Sequence, residues 1–341
     1  MSSKTSSLFL LIVVTILFTA GLVYATLELP NLINSWLIQT FDFPGVDSSI
    51  ESGVTEAFIQ SNHIRLIGFG CFAGVVALIL IGLVAEKRRL ASLGAFVFFL
   101  PTFGHFALNM FFLAGLGILR VVWMPILDVS YSWLNLGDIA YLPYMVLVYF
   151  PALAGIDIRA YVIDFIVVSG LFLFVLSVFT WLYTYAQGRR IVDWGLYRFS
   201  RHPQYLGWMV WSYGLMLYIS RLRGPRIMYS LGGSLPWLLS TMVIVCVAML
   251  EEIKMNQEGA YEDYRAKTPF LLPLPAFVSR VISLPFRLVL GKERPEHGWE
   301  VLVILLLYTG ILVLLSVPFV VFHWPPDTGW FRFPFNVPPF S

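Results

Sequence analysis

The residues of this chain that can do chemistry gather in two stretches. The first reads Ile191-Val192-Asp193-Trp194-Gly195-Leu196-Tyr197-Arg198-Phe199-Ser200-Arg201-His202-Pro203-Gln204-Tyr205-Leu206-Gly207. Arg201 and His202 stand directly before an apolar run. Pro203 suits the first position of a helix, where its missing N–H costs nothing. The free N–H groups of Gln204 and Tyr205 then point out of the helix end. With Arg201 and His202 beside them, they form a receptor for an anionic group. Gly207, one turn on, lets another group come close to the backbone. The second stretch starts at Glu251-Glu252, which closes another apolar run. It continues through Tyr261, Tyr264 and Arg265 to Pro269 and Pro273, which stop a polar helix. Two adjacent carboxylates at a membrane boundary are costly to bury unless paired.

The elements that position these stretches are membrane helices. Of the 341 residues, 58% are apolar and 12% are charged, with a mean hydropathy of +0.79. Soluble domains carry about 45–50% apolar and about 25% charged residues. The composition therefore calls for lipid around the helices. Runs near 8–26, 65–86, 91–119, 161–186, 204–220, 229–250 and 300–322 have the length of spans, and 139–155 is a shorter run holding Pro143 and Pro151. The expected fold is all-α: a polytopic transmembrane helical bundle of seven or eight spans. The first run reads as an uncleaved span rather than a signal peptide, because its apolar stretch is long for a signal. Residues 276–290 read as an amphipathic interfacial helix that Pro285 kinks or shortens. The tail 324–341 is rich in Pro and aromatics and is expected to be irregular. Three regions follow: 1–137, a transmembrane region of unknown role; 138–275, the chemical core; and 276–341, the interfacial helix, last span and tail.

Charge orients the bundle. Lys254, Arg265, Lys267, Arg280, Arg287, Lys292 and Arg294 lie within 251–298, and Arg189, Arg190, Arg198 and Arg201 lie within 187–203. Both segments, with Lys87-Arg88-Arg89, are expected on the cytoplasmic side. Arg221, Arg223 and Arg226 fall on the outer side, so the hairpin 204–250 is a candidate for partial re-entry. A hairpin that enters and leaves on one side brings Glu251 back to Arg201 and His202. The net charge of +2, with no basic block, argues against a nucleic-acid partner. Cys71 and Cys246 sit in apolar runs and the five histidines have no ligand spacing, so neither a disulfide framework nor a metal centre is expected. His105 and Asn109 share a helix face and read as an interhelical hydrogen-bonding pair.

The spacing Gly195-x-Tyr197-x-x-x-Arg201-His202-Pro203-x-Tyr205-x-Gly207 resembles the signature of the isoprenylcysteine carboxyl methyltransferase and phospholipid methyltransferase superfamily. Glu251-Glu252, Tyr261-x-x-Tyr264 and the segment from Pro269 to Pro273 are similar to its closing motif. The resemblance covers about residues 186–275. It implies S-adenosylmethionine as cofactor. It also implies a cofactor site lined by Arg190, Ile191, Val192, Tyr197, His202, Pro203, Gln204, Tyr205, Gly207 and Glu251. Arg201, His202 and Glu252 are the candidate catalytic residues. Implied with them are a lipophilic or lipidated acceptor and a site facing the cytoplasm. Where the isoprenylcysteine enzymes carry an Arg one turn before the site Glu, this chain has Val247, which leaves the acceptor open among carboxylate, amine, phenol and thiol. Two other classes compete. A membrane reductase of the sterol type shares an Arg-His-Pro-x-Tyr-x-Gly core but takes a nicotinamide cofactor. A non-catalytic lipid-binding protein or transporter would mark its pathway with charges inside the spans.

Overall fold

In the computed structural model, residues 2–29, 32, 36, 39–40, 63–99, 121–189, 191–221, 234–255 and 259–321 are described. Within them lie α1 (Ser2–Leu27), α2 (Ile64–Val84), α3 (Arg88–Phe99), α4 (Leu142–Leu153), α5 (Arg159–Ala186), α6 (Pro203–Arg221), α7 (Ser234–Met255), α8 (Gly259–Lys267), α9 (Ala276–Leu290) and α10 (Gly298–Val321). Short helical turns fill 121–141, and no strand occurs among the described residues. Lipid supplies no hydrogen-bond partners, so a spanning chain must satisfy its own backbone, and a helix does this within one segment.

Among the described residues, five helices are long and apolar enough to cross a membrane: Leu8–Leu27, Arg65–Val84, Arg159–Ala186, Ser234–Met255 and Gly298–Val321. Their outward faces fit a membrane environment: Phe165 is 72% exposed and Leu314 71%. The remaining expected runs, 91–119, 139–155 and 204–220, are not among these five. The run 139–155 becomes α4, within an apolar helical stretch, Asp138–Leu153, that is shorter than a span. The run 204–220 becomes α6, which is not among the five. Its Trp208, Trp211, Ser212, Met216 and Leu217 are buried, and its polar and aromatic residues make it less apolar than the five. Of the run 91–119, α3 covers the first part, and 100–120 lie outside the described residues, as do His105, Asn109, Arg223, Arg226 and the tail 324–341. The expected shortening at Pro285 does not occur. Helix α9 continues to Leu290 and ends on Gly291 in the left-handed conformation (φ 66°). A proline removes only one backbone donor, and membrane helices tolerate that loss.

Hydrophobic burial does not hold helices together inside lipid; close packing does. Along α5 and α6, Gly170, Gly207 and Gly214 let the two backbones meet. A Cβ on Gly207 would fall 2.5 Å from the backbone N of Phe174, and one on Gly170 would collide with the backbone of Trp211. A second core joins α2, α3, α7 and α10 through Ile79, Leu83, Ala91, Ala95, Val247, Leu250 and Val301. Here Gly82 admits the backbone of Ala91. Helix α7 is the shared wall, since Trp237 and Ile244 also pack on the α5–α6 core. This topology gathers the ends of α2, α5 and α7 and the starts of α3, α6 and α10 on one face.

Candidate functional site

The connection from α5 to α6 is built as a clamp. Trp194 Nε1 donates to Thr184 Oγ1 at 2.7 Å, tying the loop back to α5. Gly195 (φ 60°) turns the chain into one helical turn, Gly195–Arg198. The buried Tyr197 donates to Gln204 Oε1 at 2.8 Å and its carbonyl accepts from Tyr264 OH at 2.7 Å. The Arg201 amide donates to the carbonyl of Pro269 at 3.0 Å, and the His202 amide donates to Ser200 Oγ at 3.2 Å. The first turn of α6 is thus gripped by its own loop and by the segment after α8.

Against this turn stands the last part of α7. His202, 2% exposed, lies between the two acids: Nε2 is 3.1 Å from Glu252 Oε1 and Nδ1 is 3.6 Å from Glu251 Oε2. Arg201 Nη1 is 3.1 Å from Glu252 Oε2, and Arg265 Nε is 3.9 Å from the same oxygen. Glu251 Oε1 accepts from Tyr205 OH at 2.9 Å and from Arg88 Nη1 at 2.6 Å. Phe270 closes the side, edge-on to the His202 ring at 5.2 Å and under the Arg201 guanidinium at 5.7 Å.

The electrostatics follow from this order. Burial of the His202 ring opposes its charge, but Glu251 and Glu252 on either side outweigh burial and hold its pKa above the ordinary value. A neutral ring would turn a lone pair towards one carboxylate, so the imidazolium is the form that suits both neighbours. Burial pushes the Tyr197, Tyr261 and Tyr264 phenols up, so they remain hydrogen-bond donors. Four cations (Arg88, Arg201, His202 and Arg265) then face two carboxylates, which leaves the cluster a positive surplus. Arg201 lies at ion-pair distance from Glu252, yet its Nε and Nη1 are not aligned for a hydrogen bond among the described residues.

Of the sequence-derived residues, Arg201, His202, Tyr205, Glu251 and Glu252 meet in this cluster, with Tyr197, Pro203 and Gln204 in the clamp behind it. Val192 is buried and Ile191 half-buried in the loop; Arg190 lies outside the described residues. The missing side chain of Gly207 admits the backbone of Phe174 in α5, so the close approach expected there is made by a neighbouring helix. Sequence reasoning missed Arg88, Arg265 and Phe270 as site residues. The basic triplet 87–89 was the visible signal for Arg88, but it registers as an orientation mark.

Residues 152–268 match a family described as a protein of unknown function (DUF1295). No curated protein and no solved structure matches the chain. The matched segment contains α5 to α8, and so Arg201, His202, Glu251, Glu252 and Arg265. Arg88 lies outside it.

Proposed function

We propose that the protein is an integral membrane methyltransferase that binds S-adenosylmethionine at this face and methylates a lipophilic or lipidated acceptor. The observation that carries the reading is the meeting of Arg201-His202, at the start of α6, with Glu251-Glu252, at the end of α7. The residues fit the cofactor. The Arg201 guanidinium suits its carboxylate, and Glu251 suits its ribose hydroxyls. Lys87, Arg89, Arg189 and Lys254 lie on the same face, which supports a cytoplasmic orientation.

The cofactor supplies a methyl group on a sulfonium, whose carbon–sulfur electrons return to sulfur as the acceptor takes the methyl. The protein's task is to orient both partners and exclude water. Phe270, packed against the His202 ring and the Arg201 guanidinium, serves exclusion. Glu252 receives the proton when the acceptor is an amine or phenol; a carboxylate acceptor needs no base. His202 stands between both acids with its pKa raised, so it organises the pair rather than acting as the base. An acceptor held in the bilayer approaches sideways while the cofactor comes from the aqueous face.

The test is methyl transfer from labelled S-adenosylmethionine into a membrane lipid extract, using purified full-length protein. The wild type should label an extractable product, and Glu251→Gln and His202→Ala should bind the cofactor weakly. Unchanged cofactor affinity in both variants removes the site assignment, and binding of a nicotinamide cofactor instead removes the reaction.

A further inference from the structure

We infer that Arg88, brought by the α2–α3 hairpin, is a positioning residue that holds Glu251 open for the cofactor. This deepens the methyltransferase reading and rests on it. The 2.6 Å contact from Arg88 Nη1 to Glu251 Oε1 is shorter than the pairs His202 and Arg201 make with the two acids. Arg88 and Tyr205 both take the same oxygen, Oε1. Their pull leaves Oε2 at 3.6 Å from His202 Nδ1, too long for a hydrogen bond. Without Arg88, only the neutral Tyr205 hydroxyl opposes the attraction between the imidazolium and the carboxylate, and Glu251 closes towards His202. An Oε2 spent on His202 cannot receive a ligand hydroxyl.

An exposed ion pair is worth little, because water and side-chain entropy cancel its gain. This one is anchored on both sides. The Glu251 side chain is 16% exposed and that of Arg88 42%, so the guanidinium reaches inward from the rim. The helix that carries it has little freedom. Gly82 admits the Ala91 backbone, and Ala91, Ala95 and Leu250 are buried in one core. The turn before Arg88 is itself fixed, since the Gly298 amide of α10 donates to Glu86 Oε1 at 3.1 Å. The start of α3 is therefore held against the end of α7, although no part of α2 or α3 lies in the segment 152–268.

The experiment measures the dissociation constant of labelled S-adenosylmethionine for the full-length protein, with the melting temperature recorded beside it. Arg88→Ala should weaken binding about tenfold, the scale of one charge-assisted contact, at near wild-type melting temperature. Arg88→Gln, which keeps the stem of the side chain, should do the same and stands in if the alanine variant folds poorly. Arg88→Lys should recover most of the affinity, because only Nη1 makes the contact. Arg89→Ala, an exposed neighbour, should bind like wild type. In a Glu251→Gln background, Arg88→Ala should add nothing. Wild-type affinity in Arg88→Ala and Arg88→Gln overturns the inference and leaves the methyltransferase reading standing. A wild-type protein that does not bind the cofactor removes that reading and this inference together.

Discussion

Two helical hairpins deliver cations to the same pair of acids, and they do it differently. In α2–α3 the turn is tight, Glu86 sits in it with positive φ (55°), and the cation is Arg88 on the first helical turn, half-exposed. In α5–α6 the connection is long, and Arg201 and His202 come at its end, locked by bonds to Ser200, Pro269 and the acids. Both hairpins meet through glycines, as helices in lipid must when packing alone drives association. The difference lies in what each cation can lose. His202 is surrounded, and its removal leaves two carboxylates facing each other. Arg88 is at the rim, and its removal changes the orientation of one.

The largest effect that would sharpen this contrast is on turnover. His202→Ala should lower methyl transfer at saturating cofactor by about a hundredfold or more, the scale of a misplaced acid–base group, whereas Arg88→Ala should keep most of it. Equal losses in a labelled-methyl assay would erase the distinction. Next come the glycines. Gly207→Ala places a methyl 2.5 Å from the Phe174 backbone N, and Gly82→Ala drives one into Ala91. Each should cost about 1–3 kcal/mol of stability by overpacking. Gly310→Ala, whose added methyl meets nothing within 4 Å, should leave the melting temperature unchanged. If Gly82→Ala melts like wild type, the N-terminal hairpin is not packed as described.

A third prediction separates the hairpins by pH. His202 has a raised pKa when folded. Its stabilising contribution is therefore complete below the unfolded value of about 6.5 and is lost as pH climbs through the raised folded value. The wild-type melting temperature should fall as pH rises above about 6.5 through that window, and His202→Gln should flatten the slope. Arg88→Ala should not, because a guanidinium does not titrate there. The smallest effect belongs to the clamp: Tyr197→Phe loses the bond to Gln204 Oε1, at about 0.5–1.5 kcal/mol.

Much of this was legible because it is local. Apolar runs of span length mark helices wherever lipid is the solvent, and Pro203 after Arg201-His202 marks a helix start. The hairpin logic also placed Glu251 beside His202, since two helices joined on the far side must return to the same face. The number of spans was less legible. Run length marked 204–220 as a span, but Gln204, Tyr205, Ser212, Tyr213 and Tyr218 make α6 less apolar than the five helices that qualify. Gly207 marked a close approach, but a glycine shows only that something comes close, not that it is the backbone of Phe174.

By itself, the sequence determined that this is a helical membrane protein with one polar, charge-rich pair of helix ends, because composition and spacing act within a turn or a span. Only the tertiary structure decided that Arg88 reaches Glu251 across a sequence separation of 163 residues. It alone put both nitrogens of His202 against acids. Those contacts depend on how α3 and α6 pack on α7. That packing is set by the sum of many weak side-chain contacts between distant segments, which no local pattern records.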